Sequence, residues 1–499
     1  MMEEKNYDAV VIGGGVLGCF AARALCRCKL RVALVEQRED VCTGISRANT
    51  AIVYSGYDTH PGTLKTRLSV RANREFQALC DELGVEFRRC GSLMVAFGPR
   101  GVNSLERKLE QGRENGVPGL RLLDREEVLK MEPSLSPEVE KALYCPGVGT
   151  VNPWELCMAA AENAAANGVE FLLNTEVTGL RRRRDGYLVE TSRGNLYSRT
   201  VVNCAGIRAD EVAEMIWPPT IRVVPTKGDY FVLDTKVGHL LRHVVFHEPE
   251  EKGKGLTMVP TVDGNILLGP SELPAQDKKD TATVAEGLEF LRDLAAEVAS
   301  SVPLEHTIRT FAAIRPNPFE ALPHPETGEI TLSHKSIGEF MVTTREEFPG
   351  MVSLIGVKTP GLTCANWLGE HVAELLLPAL GRPEHNPEFQ PRRIPPVRMA
   401  VLSEEEQRAR IRENPAYGRV VCRCRMVTEG EIVDAIRRIP GAVTVDGVKY
   451  RTGACMGRCQ GSFCTQHILE ILARELMVSP EELRKGRPES WLVKRGGCP

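Results

Sequence analysis

The run Tyr7–Ile12 is apolar and rich in β-branched residues, and it leads directly into Gly13-Gly14-Gly15-Val16-Leu17-Gly18. Cys19–Cys28 then reads as a helix and Arg31–Glu36 as a second buried strand. Together they make a β-α-β unit of roughly 30 residues, the usual size for parallel strands joined by a crossover helix. Farther on, Val148–Asn167 predicts a proline-initiated helix, Glu170–Leu173 a strand, and Thr200–Gly206 a buried strand ending in Asn-Cys-Ala-Gly. Leu188–Thr191 and Gly194–Tyr197 form a hairpin pattern. Ile221–Leu268 is strand-rich and punctuated by turns, with Asp263-Gly264-Asn265 between two apolar runs as a hairpin signal. Beyond Gly381, Pro383, Pro387, Pro391, Pro395 and Pro396 interrupt regular structure until about Tyr417. The closing block carries two helical patterns, Glu429–Arg438 and Thr465–Leu476, around clustered cysteines. No internal repeat is visible.

The expected fold class is therefore an α/β Rossmann-like dinucleotide domain, discontinuous over 1–75, 145–215 and 335–381. A mixed-sheet α+β substrate domain is expected over 76–144 and 216–334. A Pro-rich linker over 382–418 then leads to a small α-rich domain over 419–499. A chain of 499 residues has room for two or three hydrophobic cores.

Composition narrows the function. A formal net charge of -3 with 26% charged residues gives no large field of either sign, and a nucleic-acid binder is not expected. No apolar run reaches the roughly 20 residues of a membrane span, and Met1–Tyr7 lacks the basic and apolar stretches of a signal peptide. A cytoplasmic location is expected, with peripheral membrane contact through a partner left open. In such a chain the 16 cysteines read as free thiols and metal ligands rather than disulfides.

The Gly-x-Gly-x-x-Gly turn at Gly13, Gly15 and Gly18 lets the backbone approach a pyrophosphate, whose charge meets the N-terminal end of the following helix. Glu36, eighteen residues after Gly18, stands at the end of the second strand, where it can accept hydrogen bonds from ribose hydroxyls. The motif does not separate FAD from NAD. Thr200–Asp210 and Gly356–Thr363 are the segments expected to return and complete the site.

Several stretches together resemble the D-amino-acid oxidase-like flavoprotein superfamily. They are Ser46-Arg47-Ala48-Asn49-Thr50-Ala51-Ile52-Val53-Tyr54-Ser55-Gly56-Tyr57-Asp58, Pro61–Lys65, Val202–Asp210, Lys227–Tyr230, Lys254-Gly255, Gly264–Pro270 and Thr359–Thr363. Within it the chain is similar to glycerol-3-phosphate dehydrogenases and oxidases and to L-2-hydroxyglutarate dehydrogenases, to about residue 380. The resemblance implies FAD, held by Gly13, Gly15, Gly18, Glu36, Ser46, Asn49, Ala205, Gly206, Gly361, Leu362 and Thr363, with its ring facing a β-sheet roof. It places Lys254 and Arg315 near ring and substrate, Arg315 as a clamp on an anionic group. Tyr54 stands where the relatives usually carry histidine. A tyrosine with an ordinary pKa near 10 is a poor base for a substrate hydroxyl, so the base is expected elsewhere, at Lys254, unless the substrate is an amine.

Cys422-Arg423-Cys424 is followed, after 34 intervening residues, by Cys459 and then, after four more intervening residues, by Cys464. Four thiolates so spaced suit a 2Fe-2S cluster or, on spacing alone, a structural zinc. The context Met456-Gly457-Arg458-Cys459-Gln460-Gly461-Ser462-Phe463-Cys464 resembles the bacterioferritin-associated ferredoxin-like domain of anaerobic glycerol-3-phosphate dehydrogenase large subunits. Iron-sulfur is the reading adopted, with Cys455 a bystander. The function expected is oxidation of a small anionic hydroxy compound, glycerol 3-phosphate first. Electrons would leave through the cluster to a partner subunit or quinone. An L-2-hydroxy-acid dehydrogenase, an amino-acid or opine dehydrogenase subunit, and a non-enzymatic iron-sulfur redox sensor are the alternatives.

Overall fold

Two strands and a helix at the start of the chain set the frame. β1 (Lys5–Ile12) and β2 (Val32–Val35) are buried on both faces, as strands covered by helices on each side must be, and α1 (Val16–Leu25) crosses between them. α2 (Leu64–Leu83), α3 (Pro153–Ala166), β3 (Glu170–Leu172), β4 (Val177–Arg183), β5 (Gly186–Thr191), β6 (Gly194–Asn203), β7 (Met351–Ile355) and α4 (Gly361–Leu376) complete this domain. β3, β2, β1, β6 and β7 pair in parallel in that order, and β4 and β5 add an antiparallel extension beside β6. The computed structural model describes residues 5–249, 255–324 and 326–493.

One core lies between the sheet and α1, α2, α3 and α4, and a second on the opposite face around Tyr187, Trp217 and Val201. α1 and α4 approach closely because Gly369 has no side chain. A Cβ there would sit 2.6 Å from the Phe20 carbonyl oxygen of α1.

The second domain is a large mixed sheet. Ile221–Leu233 and Thr307–Pro323 form a long antiparallel ribbon, joined by Ile266–Leu268, Thr257–Pro260, Val244–His247, Ser92–Ala96, Lys141–Cys145 and Arg121–Asp124. Among the described residues its one parallel contact, between Val244–His247 and Ser92–Ala96, marks where two separate chain segments join. Asp263-Gly264-Asn265 turns between antiparallel strands as its pattern predicts.

Several boundaries differ from the sequence reading, among them the helix expected from Val148, which starts at Pro153 after a short strand, Gly149–Val151. α2 runs across residue 75 to Leu83, and its last turns, with Leu79, Cys80 and Leu83, stay in the dinucleotide core. The first helix begins at Val16 rather than Cys19, because the glycine turn feeds it directly. The linker over 382–418 also contains a helix, α5 (Glu404–Glu413), started by a reciprocal Ser403–Glu406 capping box. The linker is moreover docked: Arg393 is buried, and its Nε donates to Glu162 Oε2 of α3 at 2.8 Å. The final domain packs α6 (Glu429–Arg437), α7 (Val445–Thr452) and α8 (Thr465–Leu476) around Ile432, Val448, Ile468 and Leu472.

Replacing Gly369 with valine forces α1 and α4 apart. The expected cost is about 1–3 kcal/mol, read as a lowered unfolding midpoint in thermal scanning.

Candidate active site

Parallel neighbours end on the same edge of a sheet, so the loops after β1, β2, β6 and β7 meet there. Gly13 has φ +106°, and a Cβ on it would lie 2.4 Å from the Cys204 carbonyl oxygen. A Cβ on Gly18 would lie 1.9 Å from the Gly13 carbonyl oxygen. The turn thus exists only with glycine at both positions. α1 has Gly15 at its N-cap with no side-chain cap, leaving this helix end open to an anion. Glu36 Oε2 accepts from Gly14 N–H at 2.6 Å and Oε1 from Arg38 N–H at 2.8 Å. Burial pushes the Glu36 pKa up, and these two donors oppose it.

The other predicted segments gather at the same edge. Ser46 Oγ accepts from Val16 N–H at 2.9 Å, and Asn49 closes its own turn through Ser46 O and Ala51 N–H. Asn203 Oδ1 accepts from Ala205 N–H at 3.1 Å, shaping the turn to Gly206, which has φ +61° and open space beside it. Gly361 and Leu362 open α4, and Thr363 Oγ1 accepts from Tyr54 N–H at 3.1 Å. A glycine cradle, an open helix end and an acidic acceptor at the second strand fit an adenine dinucleotide.

Across from this edge stands the β-sheet roof. Arg315 lies on Thr307–Pro323 opposite Thr226, and among the described residues its buried Nε meets no hydrogen-bond partner. Two lysines that the sequence reading gave no role approach it. Lys358 Nζ reaches Ser336 Oγ at 3.1 Å and Asn317 Oδ1 at 3.4 Å. Burial, then Arg315 and Lys65, push its pKa down to about 8, while Glu272 acts in the opposite sense. Lys65 donates to Gly338 O at 2.8 Å, and burial holds its pKa below the ordinary lysine value, with Arg315 adding to the shift. Arg315 acts against the charge of both lysines, while Asp58 and Glu339 act in the opposite sense on Lys65, so the three cations form a group that an anion can approach. Lys358 was legible in principle, as the lysine directly before the Thr-Pro-Gly turn of a return segment.

Tyr54 borders the same space. Its ring stacks on Phe246 with centroids 6.0 Å apart, and its hydroxyl lies 3.5 Å from Thr50 Oγ1. Burial pushes its pKa up to about 12, which makes it a hydrogen-bond donor rather than a base. Lys254, the expected base, lies outside the described residues.

In the last domain five thiols gather. Cys424 Sγ is 3.6 Å from Cys459 Sγ, and Cys455 Sγ is 3.4 Å from Cys464 Sγ, with Cys422 also buried in this core. Gly457 is required, since a Cβ there would meet Cys424 Cβ at 2.2 Å. Clustered thiols of this kind are compatible with a structural zinc and with a 2Fe-2S cluster alike. Cys455, read as a bystander, stands within contact of a ligand candidate. The domain is seated on both others, through Arg451–Asp40 against the dinucleotide domain and through Arg425–Asp263 and Arg309–Gln460 against the roof.

A dinucleotide cradle facing a sheet roof, with an anion receptor between them, defines a flavin-dependent oxidoreductase. Residues 8–375 match the model of the family described as FAD dependent oxidoreductase, and the chain belongs to it. Residues 420–474 match the BFD-like [2Fe-2S] binding domain. FAD and a 2Fe-2S cluster are therefore its cofactors, and the zinc and redox-sensor readings fall away. The chain is 38% identical over 487 residues to the glycerol 3-phosphate dehydrogenase of Caloramator mitchellensis, covering 98% of each. It is 30% identical over 288 residues to human mitochondrial L-2-hydroxyglutarate dehydrogenase, covering 54% of this chain and 62% of that one. Among solved structures it is similar to the dithionite-reduced L-alpha-glycerophosphate oxidase of Mycoplasma pneumoniae with FAD bound. The TM-score is 0.71 at 26% identity, over 79% of this chain and 100% of that one.

The cysteine spacing, Cys422-x-Cys424 and Cys459-x4-Cys464, gives a direct expectation. Cys424→Ala and Cys459→Ala should abolish the electron paramagnetic resonance signal of the reduced cluster, and Cys455→Ala should keep it with full iron content. Loss of signal in Cys455→Ala would make Cys455 a ligand.

Proposed function

We propose that the chain oxidises glycerol 3-phosphate at the secondary alcohol carbon and passes the electrons through its 2Fe-2S cluster to a partner subunit or quinone. The observation that carries this reading is the convergence of Arg315, Lys358 and Lys65 between the roof and the dinucleotide edge, a charge set matched to a phosphate dianion. The near full-length likeness to a glycerol 3-phosphate dehydrogenase supports it.

FAD supplies the two-electron acceptor for the hydride. Arg315 offers a forked donor to the phosphate, and its orphaned buried Nε is then satisfied. Lys358 and Lys65 add charge and fix which end of the substrate lies under the roof. Tyr54 donates its hydroxyl proton in a hydrogen bond to the substrate oxygen and, stacked on Phe246, narrows the space beside the reacting carbon. The proton of the substrate alcohol goes to Lys254. Gly13, Gly15, Gly18, Glu36, Ser46, Asn49, Ala205, Gly206, Gly361, Leu362 and Thr363 hold the flavin, and Cys422, Cys424, Cys459 and Cys464 hold the cluster. Cys424 is exposed, which favours electron exit to a partner on that side. Among the described residues no helix is long and apolar enough to cross a membrane, so contact with a membrane quinone would run through a partner.

Under anaerobic conditions glycerol 3-phosphate should bleach the flavin absorbance and then reduce the cluster. Bleaching by L-2-hydroxyglutarate, an amino acid or an opine, with none by glycerol 3-phosphate, would replace this reading.

Lys358 gives a pH dependence of known sign. Its cation is present below about pH 8 and lost above it, so KM for glycerol 3-phosphate should rise as pH passes upward through 8. Lys358→Met should raise KM at neutral pH by about tenfold or more, as expected for one charge-assisted hydrogen bond of about 1.5–3 kcal/mol. The same variant should flatten the alkaline rise.

For proton transfer, Lys254→Met is expected to cost more turnover than Tyr54→Phe. A dead Tyr54→Phe enzyme beside an active Lys254→Met would make Tyr54 the proton acceptor.

A further inference from the structure

The loops that form the flavin cradle are held from behind by two adjacent residues of the cluster domain. The loop after β2 begins at Glu36 and passes through Asp40 and Cys42, whose N–H donates to Gly14 O at 2.8 Å. Asp40 receives both arms of Arg451 on α7, Nη1 to Oδ2 at 2.5 Å and Nη2 to Oδ1 at 2.7 Å, and each side chain is 4% exposed. Arg451 is itself aimed by Gly447 O at 3.1 Å and Pro440 O at 2.9 Å. The neighbouring Tyr450 stacks on Trp154 of α3, centroids 5.3 Å apart and planes 24° from parallel. Trp154 donates its indole N–H to Arg47 O at 2.8 Å, and the preceding Ser46 receives the first free N–H of α1.

Two tethers thus leave α7 and end on the same turn, one through Asp40 to Gly14 and Glu36, the other through Trp154 and Arg47 to Ser46 and Val16. A bidentate pair removed from water is strong only while both partners are present, and losing Arg451 would leave Asp40 buried and unpaired. That loop would have to open toward solvent, carrying the strand-end acceptor with it.

We propose that docking of the cluster domain completes the FAD site, with Arg451 and Tyr450 as positioning residues of the flavin cradle. Neither belongs to the set of groups that hold the cofactor; both act through the loops that do. FAD binding and cluster-domain docking are then linked, and the factor by which one tightens the other is the same in both directions. The inference rests on FAD at the dinucleotide turn and is independent of which substrate is oxidised.

The test uses the full chain, stripped of flavin and retitrated with FAD while iron content and the cluster spectrum are monitored. Arg451→Met and Tyr450→Ala should each weaken FAD binding, on the order of tenfold, with the cluster intact, and Tyr450→Phe, which keeps the stack, should restore the parent affinity. Hydrogen exchange on the unaltered chain supplies a second readout: FAD should slow exchange in α7 more than in α8. Parent-like FAD affinity in Arg451→Met with an intact cluster would overturn the proposal. So would exchange in α7 that is indifferent to FAD, and that measurement decides alone if the variants fail to fold.

Discussion

Between Gly13 and Gly18 the chain folds back until a carbonyl oxygen and a helical Cα nearly touch, leaving space for one hydrogen where any other residue would place a carbon. Everything at the sheet edge depends on that approach. It sets α1 against β1, aims the helix end along the edge, and brings Gly14 N–H within reach of Glu36. Because β1 is central, the same turn fixes where the loops after β2 and β6 meet, and so where a flavin ring can face the roof.

The roof adds a second constraint of opposite character. Burial and the neighbouring Arg315 disfavour the charges of Lys65 and Lys358, while Asp58, Glu339 and Glu272 oppose that trend. An anion bound beside them would strengthen both charges. Tyr54 fits the same division of labour, since its pKa moves away from neutrality and leaves it to orient the substrate oxygen.

Much of this was legible in the sequence because it depends on local rules. The glycine turn, the acidic residue eighteen positions on, the hairpin at Asp263–Asn265 and the cysteine spacing all encode their geometry within a few dozen residues. Lys358 and Lys65 were not read as functional because their meaning comes from Arg315, which lies on a strand from another domain. Asp40 and Arg451 are 411 residues apart and look like ordinary surface charges in sequence. α5 was hidden for a different reason: the prolines before it drew the whole stretch into a linker, although Ser403 and Glu406 spell a capping box. The domain boundary at residue 75 falls inside α2 because the whole helix, to Leu83, packs on the dinucleotide core.

The linker also reaches into the interior of the dinucleotide domain. Arg23 of α1 is buried, and it donates to Asn163 Oδ1 at 2.8 Å, to Asn366 Oδ1 at 3.3 Å and to the Pro391 carbonyl at 3.2 Å, while pairing with Glu82. Asn163 in turn donates to Gln390 O at 2.9 Å. Arg23 of α1 and Asn163 of α3 therefore complete their hydrogen bonding with backbone carbonyls of the strap that follows these helices. In modular exchange between proteins, a break at residue 381 would strip an interior arginine of part of its shell, whereas a break near 419 would leave that shell whole. The smallest piece that keeps the interior of the dinucleotide domain intact therefore includes the strap.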